Sequence, residues 1–136
     1  MRPIKFRGLN QFGIFVFGSY ATDGKDYHAI ITENPKDSTT MLNIVVAPSS
    51  VGQFTGLQDK DNVDIYEGDL IKNKSGRVCL VVFNEYFARF DSYVKFDGGR
   101  HAKSHGFKNT LWKSHVTVIG DISKISELLE GLKWRQ

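Results

Sequence analysis

The stretch D-L-I-K-N-K-S-G-R-V-C-L-V-V-F, residues 69–83, decides the fold class of this chain. Two short apolar runs, at residues 70–72 and 78–83, are separated by the turn-forming residues Asn73, Ser75 and Gly76. β-Branched and aromatic side chains such as those of the second run fit a pleated, half-buried surface better than a helix. The stretch therefore predicts two β-strands separated by a turn.

Apolar runs of this kind recur along most of the sequence. They lie at residues 4–7, 13–17, 28–32, 42–47, 70–72, 78–83, 87–90, 93–96, 110–112 and 116–119. Their spacing is typical of a β-barrel or a β-sandwich, so we predict a mostly β protein. The polar stretches at residues 33–40 and 97–109 are predicted to be long loops, and D-K-D-N at residues 59–62 a tight turn between short strands.

Helical patterns are confined to two places. Near the C-terminus, Ile125, Leu128, Leu129 and Leu132 follow the i, i+3, i+4, i+7 spacing of an apolar helix face. We predict a short C-terminal α-helix at these residues. Residues 48–54 predict at most one helical turn, which a 3₁₀ turn would also satisfy.

Composition limits the classes of protein that fit. The chain has 136 residues, of which 40% are hydrophobic and 24% charged. These values are close to globular averages and exclude disordered, collagen-like and coiled-coil proteins. A single cysteine, Cys79, excludes an intramolecular disulfide and a Cys-rich zinc site and fits a reducing compartment. No apolar run approaches the ~20 residues of a membrane helix, so we predict a cytoplasmic protein without membrane contact.

Charge is distributed unevenly between the two halves of the chain. Residues 1–68 carry six Lys or Arg against eight Asp or Glu, and residues 69–136 carry twelve against seven. The basic half favours contact with an anionic partner such as a nucleic-acid backbone, with Tyr86, Phe87, Tyr93, Phe96 and Trp112 as stacking platforms. A solvated basic face over buried aromatic residues would show the same pattern. The candidate partner-binding residues are Lys72, Lys74, Arg77, Arg100, Lys103, Lys108 and Trp112.

Catalytic and cofactor motifs are missing from the sequence. It has no G-x-S-x-G, G-x-G-x-x-G or phosphate-loop pattern, and the acidic run at residues 59–69 does not match a calcium loop. We therefore predict no cofactor and no catalytic residue. The weakest alternative is a metal-dependent hydrolase built from Glu67 and Asp69, on one face of one strand, with His101 and His105.

Three blocks of sequence, in this order along the chain, resemble the YopX family of phage and prophage proteins. They are R-P-I-K-F-R-G at residues 2–8, V-G-Q-F-T-G-L with Asp59 and I-Y-E-G-D-L-I within residues 51–71, and V-I-G-D-I at residues 118–122. The resemblance implies an SH3-like small β-barrel in the C-terminal half, a bacterial or phage origin and no known activity. With it we expect an N-terminal antiparallel β region at residues 1–58 and the barrel with its helix at residues 59–136, or one compact unit. Residues 91–109 look longer than the family's strand connection.

Two functional hypotheses follow. The first is a non-enzymatic binding module for nucleic acid or protein, acting as a phage accessory protein. Its contact surface would be the loop at residues 97–109, expected to be the most mobile internal segment because glycines and mutually repelling cations crowd it. The second is a self-assembling homo-oligomer, suggested by an N-terminal half rich in aromatic residues. Those residues are Phe12, Phe15, Phe17, Tyr20 and Tyr27.

Overall fold

The computed structural model describes residues 3–74, 76–93, 104–106 and 116–124, and these residues form a mostly β protein. The described strands are β1 (Phe6–Leu9), β2 (Phe15–Thr22), β3 (His28–Asn34), β4 (Asp37–Val45), β5 (Gly52–Gln58), β6 (Asp64–Tyr66), β7 (Asp69–Lys72), β8 (Val78–Asn84), β9 (Arg89–Tyr93), β10 (Ser104–Gly106) and β11 (Thr117–Asp121). Short 3₁₀ turns occupy Pro48–Ser50 and Ile122–Lys124. The prediction of a mostly β fold is confirmed, and the helical turn expected after Pro48 is of the 3₁₀ type.

The strands form two antiparallel sheets. Their strand orders are β4-β3-β2-β1-β5-β6 and β10-β9-β8-β7-β11. The chain divides into two compact units, Met1–Gly56 and Leu57–Gln136, and the division falls inside β5. In the first unit β4 is the strand at the end of the sheet, next to β3.

The first unit has a small apolar core. Ala29 and Ile30 of β3 are fully buried, and Val46 and Phe54 are nearly so. Gly8 of β1 lies against this core, because a Cβ atom added there would lie 2.8 Å from the Cβ of Val46. The absence of a side chain at residue 8 therefore lets β1 approach the segment that follows β4.

The second unit has a core of its own, assembled from three of its strands and the residue that precedes β11. Alternation along β8 turns Cys79 and Val81 inward, where they meet Ile65 of β6 and Ile71 of β7. Val116, just before β11, completes the buried cluster, and Leu57 and Val118 pack against it. The five cluster residues range from 0% to 5% exposed.

The tight turn expected at residues 59–62 is present. The Asn62 N–H donates to the Asp59 carbonyl at 3.1 Å, and Asn62 has a φ of 63°. Asparagine tolerates this left-handed conformation, which explains its place at the turn. The chain then re-enters a strand at Asp64.

The long loop predicted at residues 33–40 is wrong. Strand β3 continues to Asn34 and β4 begins at Asp37, so only Pro35 and Lys36 connect them. Every residue of β4 from Asp37 to Asn43 is exposed. The first half of β4 has no apolar run, because its residues are exposed on both faces, and this part of the strand was missed for that reason.

Other predictions fall partly or wholly outside the described residues. The proposed C-terminal helix (Ile125, Leu128, Leu129 and Leu132) and most of the segment at residues 97–109 lie outside them; residues 104–106 of that segment form β10, which pairs with β9. The described strands of the second sheet run from β10 to β11 without closing on each other, so the SH3-like barrel is not confirmed. No helix in the described part of the chain is long and apolar enough to cross a membrane.

Candidate partner-binding sites

The turn between β8 and β9, N-E-Y-F-A-R at residues 84–89, is called here the aromatic tip. The Asn84 side-chain oxygen accepts the backbone N–H groups of Tyr86 at 3.0 Å and Phe87 at 3.2 Å. Ala88 then takes a φ of 51°, which reverses the chain into β9. Side-chain bonds of this type hold a turn in one conformation without a buried core beneath it.

Two aromatic rings project from the aromatic tip into solvent. Tyr86 is 89% exposed and Phe87 is 59% exposed, and their rings meet edge to face at a centroid distance of 4.9 Å. The Arg89 guanidinium lies 4.7 Å from the centroid of the Phe87 ring. The tip therefore presents two held rings and one cation on the same turn, which is the chemistry of a platform for stacking planar groups.

Asp91, a buried carboxylate, fixes the base of the aromatic tip. Its Oδ1 accepts the Arg89 Nε–H at 2.8 Å, and its Oδ2 accepts the Asn84 Nδ2–H at 2.8 Å. Asp91 is fully buried, whereas the Arg89 side chain is about half exposed. The carboxylate thus positions both Asn84, which fixes the turn, and Arg89, which lies on Phe87.

The basic residues predicted to contact a partner divide into two groups. Lys72, Lys74 and Arg77 are exposed around the turn between β7 and β8, which is called here the basic turn. Asn73 shapes this turn, since its side-chain oxygen accepts the Arg77 N–H at 2.9 Å. Arg100, Lys103, Lys108 and Trp112 lie outside the described residues.

The basic turn and the aromatic tip lie at opposite ends of β8. That strand has seven residues, which corresponds to about 20 Å at the usual rise per residue. Single-stranded nucleic-acid sites on small β domains cover ~4–16 nucleotides, so one extended strand is long enough to reach both features.

Two further carboxylates of the second unit are buried acceptors for backbone N–H groups. Asp59 Oδ1 accepts from Asp61 at 2.8 Å and Val63 at 2.9 Å, and its Oδ2 accepts from Val118 at 3.0 Å. Asp69 Oδ2 accepts from Tyr66 at 2.7 Å. These bonds show a structural use for the acidic motif at residues 59–69: the turn predicted at residues 59–62 is present, but the buried acceptor roles of Asp59 and Asp69 were not predicted.

The arrangement proposed for a hydrolase is not assembled by the described residues. Glu67 lies in the turn between β6 and β7 while Asp69 begins β7, so the expectation that they share one face of one strand is wrong. His101 lies outside the described residues, and His105 belongs to β10. No group of three metal-ligating side chains occurs in the described part of the chain.

The first unit contains an open cavity of about 600 Å³ beside the end of β4. It is lined by uncharged residues at positions 9–12 and 43–47. Phe12 at its edge is 76% exposed, and Val45 is 65% exposed. An uncharged cavity next to exposed apolar side chains suits an apolar group better than an ionic ligand.

The aromatic residues near the N-terminus have different surroundings. Phe12, Phe17 and Tyr27 are exposed, whereas Phe15 and Tyr20 are half-buried. Phe15 lies under the Arg7 guanidinium at 4.2 Å, and the Tyr20 ring stacks on His28. Ordinary packing within the unit therefore accounts for Phe15 and Tyr20, whereas the other three rings remain exposed aromatic surface.

Comparison with known proteins agrees with the resemblance seen in the sequence. The family described as "YopX protein" matches residues 5–130. A crystal structure of protein EF1440 from Enterococcus faecalis is similar to this fold with a TM-score of 0.58 and 19% identity, covering 95% of this chain and 99% of that one. A search of curated proteins finds no match. Because the family match covers most of the chain, this protein belongs to the YopX family.

Proposed function

We propose that this protein is a non-enzymatic binding module whose second unit contacts single-stranded nucleic acid. The observation that carries the proposal is the aromatic tip, where Tyr86 and Phe87 are exposed on a turn held by Asn84. Because the backbone that carries both rings is fixed before contact, a partner that stacks on them costs less conformational entropy to bind. The phage or prophage setting implied by the family resemblance makes this an accessory protein of the host cytoplasm, where its single buried thiol stays reduced.

The chemistry of the second unit suits a strand of nucleotides. Stacking of a base on an aromatic side chain contributes ~1–3 kcal/mol and tolerates any base, because every base has a π-face. Lys72, Lys74 and Arg77 at the basic turn supply charges for the phosphates. Arg100, Lys103, Lys108 and Trp112 belong to the same proposal on the basis of sequence alone.

Fluorescence anisotropy of a labelled mixed-sequence 15-mer, titrated with the full chain at several salt concentrations, tests this proposal. The double variant Tyr86→Ala/Phe87→Ala should weaken binding by about 10-fold or more without changing the salt dependence. The slope of log K against log salt is negative, and the triple variant Lys72→Ala/Lys74→Ala/Arg77→Ala should make it shallower by about 2. Phe12→Ala, which removes an exposed ring from the other unit, is the matched control and should change neither quantity.

Binding that is insensitive to salt, or equal affinity of the tip variant and the parent protein, would contradict the proposal. A duplex of the same sequence should bind more weakly than the single strand, because its bases are already stacked. If the protein binds the duplex more tightly, the contact is made by charge on the phosphates and not by stacking of bases on the aromatic tip.

A second candidate function is self-association through the first unit. Its support is the uncharged cavity beside β4 together with the exposed apolar side chains of Phe12, Met41 and Val45. Apolar surface of this kind is commonly covered by another protein surface. Size-exclusion chromatography with light scattering tests self-association. A monomer of 15.4 kDa at tens of micromolar would contradict it.

We also propose the finer architecture expected from the family. It consists of an N-terminal β region up to residue 58 and an SH3-like barrel with a C-terminal helix over residues 59–136. The two compact units, which divide between Gly56 and Leu57, support this division. Assignment of backbone chemical shifts tests the helix, because residues 125–132 should show helical Cα shifts.

A further inference from the structure

Strand β4 has an outer edge that other strands of the described chain leave open. It lies at the end of its sheet, and among the described strands it pairs only with β3. Met41 is 60% exposed and Val45 is 65% exposed. An edge strand presents a row of N–H and C=O groups that can pair with a further strand.

The register of the β3–β4 pair shows which residues of β4 direct their backbone groups outward. The Val46 N–H donates to the His28 carbonyl at 3.0 Å, which identifies the hydrogen-bonded positions of the ladder. Hydrogen-bonded and non-hydrogen-bonded pairs alternate along an antiparallel ladder. Leu42 and Ile44 therefore bond to β3, whereas Met41, Asn43 and Val45 direct their N–H and C=O groups to the open edge.

The outward-facing segment lacks the usual protection of an edge strand. Residues 41–45 read M-L-N-I-V, without a charge or a proline. Natural edge strands are commonly protected by lysine, proline or a bulge. The irregular pairing between Glu33 and Asn34 disturbs β4 only before Met41, so residues 41–45 remain a regular edge.

The same segment is complementary to itself. When it is laid antiparallel to a copy of itself about a twofold axis at Asn43, Met41 faces Val45, Leu42 faces Ile44 and Asn43 faces Asn43. Apolar side chains thus meet apolar side chains, and the two central amides can hydrogen-bond to each other. The three pairs formed by outward-facing residues each exchange two backbone hydrogen bonds.

We propose that the protein forms a twofold dimer by antiparallel pairing of its two β4 edges, centred on Asn43. This inference specifies the self-association proposed above and depends on it. If the two β4 edges were paired two residues out of this register, one of Met41, Asn43 and Val45 would face a residue outside the regular segment 41–45. The register centred on Asn43 is therefore the one that pairs all three. Val45 lines the cavity, so Met41 of the second copy, which faces Val45, supplies an apolar side chain at the cavity edge.

The test uses charges placed on the twofold axis of the full-length protein. In Asn43→Lys two like charges meet at the axis, and in Asn43→Asp two carboxylates do so. Each variant alone should weaken the dimer by about 10-fold or more, while an equimolar mixture should re-form a mixed dimer of opposite charges. Ser19→Lys, at an exposed position of the interior strand β2, is the matched control and should leave the dimer intact.

Sedimentation equilibrium across a concentration range, with circular dichroism to check that each variant folds, provides the measurement. The parent protein is expected at twice 15.4 kDa. A monomeric parent protein would overturn both the dimer and self-association. A dimer that persists in Asn43→Lys, or folded variants that stay monomeric when mixed, would overturn the β4 pairing while leaving self-association in place.

Discussion

Both units are built from antiparallel strands, but their polar groups are used differently. In its described part the second unit buries the carboxylates of Asp59, Asp69 and Asp91, and each of them accepts hydrogen bonding from a residue of a turn. In the first unit the exposed carboxylate of Asp23 accepts N–H groups of its own turn and that of Asp37 accepts the Thr39 N–H at the start of β4. Among the described strands, β4 pairs only with β3. Buried carboxylates therefore fix three places in the second unit, whereas the first unit has solvated turn bonds and a sheet edge to which the described chain adds no further strand.

The largest expected effect tests the buried acceptors. Asp59→Ala leaves the N–H groups of Asp61, Val63 and Val118 without their acceptor, so it should lower the free energy of unfolding by about 3 kcal/mol. Urea denaturation followed by Trp or far-ultraviolet signals measures the change. Asp61→Ala, an exposed carboxylate of the same turn, is the control and should stay within ~0.5 kcal/mol of the parent. Equal losses in the two variants would show that burial is not the cause.

A close approach in the first unit gives the next largest effect. Gly8→Ala places a methyl group 2.8 Å from Val46, which is buried, and should cost about 2 kcal/mol by overpacking. The double variant Gly8→Ala/Val46→Ala should lose less than the sum of the two single variants, because removing the valine methyl groups makes room. Simple additivity in urea denaturation would contradict the steric explanation.

The aromatic tip connects stability to the proposed contact. Asn84→Ala removes the acceptor for Tyr86 and Phe87 and a donor to Asp91, so it should cost about 1 kcal/mol. We expect a larger relative loss in oligonucleotide affinity, because the two rings are no longer held. Glu85→Ala, an exposed neighbour, is the control for both measurements. If Asn84→Ala lowers stability but leaves the oligonucleotide affinity unchanged, the conformation of the aromatic tip does not contribute to binding.

The smallest effect concerns the solvated turns of the first unit. The backbone N–H of Lys25, and then that of Tyr27, donate to Asp23 and lower the pKa of its carboxyl below 3.8. A folded-state pKa below the unfolded one stabilises the protein above pH 3.8, and this stabilisation is lost as pH falls through the folded pKa. Comparing Asp23→Asn with the parent between pH 2 and pH 7 tests this sign. The difference in midpoint urea concentration should shrink toward low pH, and a difference that grows would contradict it.

The fold class was predictable because many strands carry short runs of β-branched and other apolar residues bounded by turn residues. The run V-C-L-V-V-F of β8 is an example, and Cys79 and Val81 within it point into the core. Strand β5 was not predicted, because G-Q-F-T-G-L-Q mixes glycine and polar residues with two large apolar ones. The turn at residues 59–62 was predictable from Asp and Asn, whose turn chemistry is local.

The candidate sites were predictable only in part. Tyr86 and Phe87 were identified as stacking residues from their place in a basic, aromatic stretch, and their exposure agrees with that interpretation. The roles of Asp59 and Asp91 were not predictable, because a carboxylate shows its acidity in the sequence but not the N–H groups that surround it. The open edge of β4 was missed together with the strand's first half, since fully exposed residues give no periodic signal.

The hydrogen bond from the Val118 N–H to Asp59 joins residues that are 59 positions apart. At the usual speed of translation, ~5–20 residues per second, the ribosome releases Val118 about 3–12 s after Asp59. During that interval β7 can pair with β8, but Val116 is not yet present to cover Ile71 and Cys79. A nascent chain of the second unit therefore carries an uncovered apolar sheet for seconds, and its exposure to chaperones or to aggregation ends only with the arrival of β11.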